Sequence, residues 1–230
     1  MTEASVFGFE TPPRFTPRVF KGIPVTGSRS AEELACKHGA SDLATFAMSF
    51  PEEAYVIDVG AGLSPFGNEV GAARPDIKWV NFDHSYSDPG ILEDASRDAP
   101  ANVEYVAGDA TKLNEEYEPN TFDAVYSYWL MPHISANDPV SAARIVRAMF
   151  TVAKIGGLVS VGPRTVDANN PQGKSIRVMN HEGMDVGFLT DRIVTHTQVA
   201  ESLRHLFQPQ YPNRKVTRSP YLNSRRRMVR

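Results

Sequence analysis

The stretch Tyr55–Gly71, reading YVIDVGAGLSPFGNEVG, constrains the fold more than any other part of the chain. Tyr55, Val56 and Ile57 form a short apolar run that suits a buried parallel strand. The run stops at Asp58. Gly60 and Gly62 come next as a glycine-marked turn, where a missing Cβ permits unusual dihedrals and a close ligand approach. Ser64 and Pro65 then read as a helix opening, with Ser64 as N-cap and Pro65 at the first helical position. Strand, glycine turn and helix in this order open a nucleotide-binding, doubly wound α/β sheet, with the ligand at the carboxyl edge of the strand. A tight strand-to-helix turn with no ligand has the same local pattern, so the later strand ends must decide between the two.

Three further strand ends repeat the logic. Ile77–Asp83 is a second strand that closes on an acid, 25 residues past Asp58. An acid there is placed to accept from the two hydroxyls of a ribose, in a dinucleotide and in other adenosine ligands alike. Val103–Ala107 is a third strand, with Gly108, Asp109 and Ala110 behind it and Asp109 26 residues past Asp83. Phe122-Asp123-Ala124-Val125 opens a fourth strand that runs through Ser127 and Tyr128 toward Trp129 and His133. Asp138 and Pro139 start a helix with an apolar stripe at Ala142, Ile145, Val146, Met149 and Val152. Lys154-Ile155-Gly156-Gly157 stops that helix and leads into a fifth strand ending at Gly162.

The third glycine of a dinucleotide G-x-G-x-x-G falls at Pro65. The pattern Asp58-Val59-Gly60-Ala61-Gly62 instead resembles the first motif of class I S-adenosylmethionine-dependent methyltransferases. Gly108-Asp109-Ala110, the fourth-strand region and the Lys-x-Gly-Gly stop resemble further motifs of that family, in the family's order, over residues 54–162. The resemblance implies an α/β fold, a doubly wound Rossmann-like and mostly parallel sheet with helices on both faces. It implies S-adenosylmethionine held by Asp58, Gly60, Ala61, Gly62, Asp83, Asp109, Ala110, Ser127 and Tyr128. Asp83 would take the ribose, Asp109 and Ala110 the adenine, and Ser127 and Tyr128 the methionyl part. His133, just past the fourth strand, is the candidate catalytic base; a histidine there also serves as a packing residue.

Three regions result: residues 1–50 as an N-terminal arm and capping helix, 51–162 as the cofactor-binding core, and 163–230 as the C-terminal part with a substrate loop and a basic tail. The arm, with Pro12, Pro13, Pro17 and Pro24, reads as extended rather than packed. Ser30 and Glu33 stand at capping-box spacing, and one helix is expected from there to Ser49, lying over the cofactor or merely covering the sheet edge. A short strand is expected near Ser175–Met179 and a helix over Asp191–Phe207. A last strand could come from Lys215–Arg218.

Net charge is −3, but residues 213–230 carry +7 with no acid, leaving −10 on the rest. A solvated terminus, a contact with nucleic acid or a contact with another subunit all fit such a tail. Cys36 is the only cysteine, which excludes an intramolecular disulfide and speaks against a cysteine metal cluster; no metal is expected. No apolar run reaches the ~20 residues of a membrane span, and no secretory signal is visible. A cytoplasmic enzyme is the expectation, acting on a small-molecule acceptor because the amine-directed Asn/Asp-Pro-Pro-Tyr/Phe element is missing after the fourth strand. Two alternatives stay open: a non-catalytic binding or subunit protein, and an RNA-directed methyltransferase using the basic tail. A short-chain nicotinamide reductase shares the fold but needs a Tyr-x-x-x-Lys pair, which is expected to be missing.

Overall fold

The central strands are short runs rich in β-branched and aromatic residues. The computed structural model describes residues 18–21, 23–25, 29–128, 130–163 and 174–207. Six strands make the main sheet: β3 (Tyr55–Val59), β4 (Lys78–Asp83), β5 (Val103–Ala107), β6 (Phe122–Tyr128), β7 (Ala153–Gly162) and β8 (Ile176–Met179). Their spatial order is β5-β4-β3-β6-β7-β8. All neighbours are parallel except β8, which runs antiparallel to β7 with Ser160 opposite Arg177. The order reverses between β3 and β6, the switch point where open α/β sheets bind ligands.

Helices cover both faces. On one face, α1 (Ala31–Lys37), α2 (Leu43–Met48) and α3 (Phe66–Ala73) pack through Leu34, Phe46, Phe66 and Val70 onto Val56, Trp79 and Tyr126. On the other, α5 (Leu113–Glu116), α6 (Leu130–Asn137), α7 (Pro139–Val152) and α8 (Val186–Phe207) bury Leu113, Met131, Ile145, Met149 and Ile193 against Ile57, Val80 and Val125. The expected stripe of α7 is buried throughout, with Asp138 accepting from the Ser141 N–H as its cap. Alternation along each central strand sorts these two clusters, since successive side chains point to opposite faces.

Several expectations need correction. Ser64 is not the N-cap of α3: Pro65 occupies that position, and the Ser64 hydroxyl accepts from the Phe66 N–H one residue further out. The single helix expected over 30–49 is two, because the chain turns between His38 and Asp42 with Gly39 at φ +92°. Part of the arm is packed rather than extended: β1 (Arg18–Phe20) and β2 (Ile23–Val25) form an antiparallel hairpin. Its Phe20 and Val25 rest on Leu63, Tyr86, Ile91 and Ala95, the last two from α4 (Pro89–Ser96). Helix α8 begins at Val186, five residues before the expected start. The proposed strand at Lys215–Arg218 and the whole basic tail lie outside the described residues. No helix among the described residues is long and apolar enough to cross a membrane.

Candidate functional site

The carboxyl ends of β3, β4 and β5 are stitched together by backbone. The Gly60 N–H donates to Phe82 O at 2.7 Å, and the Gly108 N–H to Asp83 O at 3.4 Å. Gly60 has φ +80° and Gly62 φ +56°, values that side-chain-bearing residues rarely adopt, so the turn needs these glycines. Gly60 also needs the space: a Cβ there would stand 2.8 Å from Leu130 Cβ, where the first residue of α6 crosses the turn. Ala61 is buried between the two.

Asp83 braces this turn. Its Oδ2 accepts from the Gly62 N–H at 2.9 Å, while Oδ1 accepts from the Ser85 N–H and hydroxyl at 2.8 and 2.6 Å. One carboxylate thus joins the end of β4, the glycine turn and the single turn His84–Ser87. Each carboxylate oxygen has two lone pairs, so Oδ2 keeps one acceptor site for a ligand hydroxyl. Tyr86 completes the brace from below, donating its hydroxyl to Gly62 O at 2.6 Å.

Asp58 lies beneath the turn, 6% exposed, and no donor among the described residues is bonded to its carboxylate. Burial, and then the charge of Asp83, push its carboxyl up to about 7. Asp109 is exposed at the end of β5, where Oδ1 accepts from the Thr111 N–H and hydroxyl at 2.9 and 2.8 Å. Partial burial pushes that carboxyl up, yet the Thr111 bonds outweigh it and hold Asp109 below its usual range. Ala110 opens the short turn Ala110–Lys112 behind it.

The structure brings Asp58, Gly60, Ala61, Gly62, Asp83, Asp109 and Ala110 to one sheet edge. It divides Ser127 from Tyr128. Both end β6, but Tyr126 and Tyr128 belong to the α1–α3 face, so alternation sends Ser127 to the other. Ser127 is fully buried, and its hydroxyl has no hydrogen-bond partner among the described residues. Tyr128 packs against His38, with ring centroids 5.6 Å apart, and carries the Arg29 guanidinium 5.4 Å from its ring centroid. Burial pushes its phenol up, well away from a role as a base near neutral pH. His133 sits in the second turn of α6; its side chain, and all of Trp129, lie outside the described residues.

His38 is the site-adjacent residue that the sequence reading missed. It is buried, and its Nδ1 is shared by the hydroxyls of Ser160 at 2.9 Å and Ser175 at 3.0 Å. Burial, and then the charge of Arg177, lower its pKa to about 3, so the ring stays neutral. The available signal was Gly39 directly after it, a helix-ending residue inside an otherwise helical pattern. No group of three or more His, Cys, Asp or Glu side chains among the described residues is arranged to hold a metal ion.

The expectation about the Tyr-x-x-x-Lys pair is corrected by the sequence itself. That spacing occurs at Tyr211 and Lys215, which lie outside the described residues.

Residues 57–161, from β3 to β7, match the model of a family described as methyltransferase domain. No curated protein matches the chain significantly. Solved structures similar to it include a provisional methyltransferase of Bacillus halodurans, at 25% identity and TM-score 0.42, covering 57% of this chain and 55% of that one. A S-adenosylmethionine-dependent methyltransferase of Methanosarcina mazei shows 18% identity and TM-score 0.43, over 52% and 57%. A TehB-like methyltransferase of Corynebacterium glutamicum shows 15% identity and TM-score 0.45, over 71% and 72%. The chain spans little more than half the length of the first two. The segment from β3 through the glycine turn to β7 thus matches the methyltransferase domain family, consistent with the class I methyltransferases.

Proposed function

We propose that the protein transfers a methyl group from S-adenosylmethionine to a small-molecule acceptor. The observation that carries this reading is the Gly60–Gly62 turn at the switch point of the sheet, braced by the bond from the Gly62 N–H to Asp83. The donor set fits the cofactor. Positive-φ glycines offer close backbone approach, Asp83 Oδ2 keeps an acceptor for a ribose hydroxyl, and Asp109 Oδ2 stands free of the Thr111 bonds for an adenine amine. The Ser127 hydroxyl is an unspent polar group at the end of β6.

When bound, the cofactor supplies a methyl group already activated on a sulfonium. The chain's own residues then bind, orient and exclude water, which is where a protein lowers the barrier of such a transfer. His133 is the proposed base for an acceptor that carries a proton. Tyr128, with its raised phenol, walls the crevice rather than taking that proton. A cytoplasmic location accompanies this reading.

One observation favours a second reading. Three internal hydrogen bonds to Asp83 and two to Asp109 already use part of the acceptor capacity that a nucleoside needs. A methyltransferase-like subunit without turnover would tolerate that. The test is formation of S-adenosylhomocysteine from S-adenosylmethionine with panels of phenols, amines, carboxylates and RNA. Turnover with a small molecule supports the proposal, and turnover with RNA alone moves the acceptor to the basic tail. Cofactor binding without any turnover favours the subunit reading. His133→Ala is expected to lower turnover on the true acceptor; unchanged turnover removes His133 from the chemistry.

A further inference from the structure

Methyl transfer as proposed gives the β1–β2 hairpin no task, and the turn of that hairpin runs against the usual turn chemistry. Phe20 pairs with Ile23, so the turn between them is two residues long, and its first residue, Lys21, has φ +48°. Two-residue hairpin turns favour Asn, Asp or Gly at a positive φ, because longer side chains are strained there. What the lysine side chain reaches accounts for its place. Lys21 Nζ donates to His84 Nε2 at 3.2 Å, and the Phe20 ring meets the His84 ring edge-on, with centroids 5.1 Å apart. An ammonium has donors only, so Nε2 accepts and the ring proton sits on Nδ1. Lys21 Nζ also lies 5.1 Å from the Phe20 ring centroid, which makes the three side chains one group.

This group stands at the nucleoside end of the crevice. Asp83 opposes Ala107 in the sheet, and the Gly108 N–H donates to Asp83 O, so His84 leaves β4 beside Gly108 and Asp109 as they leave β5. A nucleoside with its ribose on Asp83 and its adenine on Asp109 therefore runs past His84. Elsewhere on the hairpin, Phe20 and Val25 rest on Leu63, the residue after Gly62, and on Tyr86, whose hydroxyl donates to Gly62 O at 2.6 Å. The hairpin thus spans from the glycine turn to the turn behind Asp83. A two-stranded hairpin has little stability of its own, so its docking depends on what shares this edge.

We propose that the β1–β2 hairpin is the outer wall of the nucleoside pocket, with Lys21 as a positioning residue that acts through His84 to hold the wall against a bound nucleoside. The proposal deepens the cofactor reading and rests on it. Nucleoside binding and hairpin docking then reinforce each other, and by linkage the effect is equal in both directions.

The probes are S-adenosylhomocysteine and 5′-methylthioadenosine, which share the adenosine; the second lacks the amino-acid end. Hydrogen-exchange mass spectrometry reads the hairpin, and calorimetry reads the affinity. Both ligands are expected to slow exchange in β1 and β2 of the wild-type protein. Lys21→Met is expected to weaken both ligands by roughly tenfold, the worth of one hydrogen bond to a charged group. Lys21→Arg should keep most of the affinity, and Lys21→Met should add nothing in a His84→Ala background. Equal loss for the two ligands places the effect at the nucleoside end, and a loss confined to S-adenosylhomocysteine overturns the proposal. A merely structural hairpin lowers the melting temperature of Lys21→Met and leaves both affinities unchanged, which also overturns it. Tighter binding by Lys21→Met does the same, because the hairpin would then occupy the nucleoside's place. If the variant does not fold, the wild-type exchange decides: hairpin protection unchanged by a ligand that binds overturns the proposal and leaves the cofactor reading standing. No binding of either ligand to the wild-type protein overturns both.

Discussion

Gly67, in the first turn of α3, is a tight joint between the helix after the glycine turn and the sheet beneath it. A Cβ there would stand 2.5 Å from Asn81 Oδ1, 2.5 Å from Trp79 Nε1 and 2.7 Å from Asn81 Nδ2. Trp79 and Asn81 are buried on β4, and the Trp79 indole N–H donates to Asn81 Oδ1 at 3.0 Å. Gly67→Ala therefore pits two effects against each other. Helix propensity and backbone entropy favour alanine by about 0.5–1 kcal/mol. Against that, either α3 lifts, at about 1–3 kcal/mol for overpacking, or the indole loses its buried acceptor, at about 1–3 kcal/mol. The net expectation is destabilisation by about 1–2 kcal/mol, or a melting point lower by roughly 2–8 °C for a chain of this size. Urea unfolding followed by tryptophan fluorescence measures it, because Trp79 reports from the joint itself. Asn81→Ala in the Gly67→Ala background should return about 1–2 kcal/mol, a coupling that a double-mutant cycle isolates. A Gly67→Ala protein as stable as wild type, or more so, refutes the close approach and leaves helix propensity as the only term.

Other changes test separate parts of the account. Asp58 has a folded-state pKa raised from 3.8 to about 7, so its stabilising contribution is complete below the unfolded value and is lost as pH rises through about 7. Asp58→Asn is thus expected to be more stable than wild type above neutrality, by about 2–4 kcal/mol, and to lose most of that advantage near pH 4; parallel stability–pH curves contradict this. Asn180 donates its side-chain N–H groups to Phe150 O and Ala153 O, at 3.1 and 2.8 Å, where α7 ends and β7 begins. Asn180→Ala should cost about 2–4 kcal/mol in denaturant unfolding, because two buried carbonyls lose their donor. Asp83→Ala should weaken cofactor binding by about 1.5–3 kcal/mol, through the lost ligand contact and the loosened Gly62; unaltered affinity by calorimetry removes Asp83 from the site.

The parts legible in the sequence share one property: their signals are local. The apolar run of β3, the two glycines after it, the acid closing β4 and the Asp138-Pro139 cap each lie within a few residues of the structure they determine. The α7 stripe was readable for the same reason. What escaped is held by partners far along the chain. His38, where the first helix ends, has its ring bonded to Ser160 and Ser175, 122 and 137 residues away. The hairpin of β1 and β2 looks like loop composition, yet Phe20 finds a buried surface on Leu63 and Tyr86. The early start of α8 did have a local signal, since Asp185 accepts from the Phe188 N–H at cap spacing. The division of Ser127 from Tyr128 came from strand alternation alone, once both were placed in β6.

The most direct test of the central claim is isothermal titration of the purified protein with S-adenosylmethionine, S-adenosylhomocysteine and NADH in parallel. Micromolar binding of the first two and none of NADH is the expected result. Binding of NADH alone, or of none of the three, would contradict the claim: the turn at Gly60 and Gly62 would then be a dinucleotide site or a structural corner, and the methyl-transfer reading would fall with it.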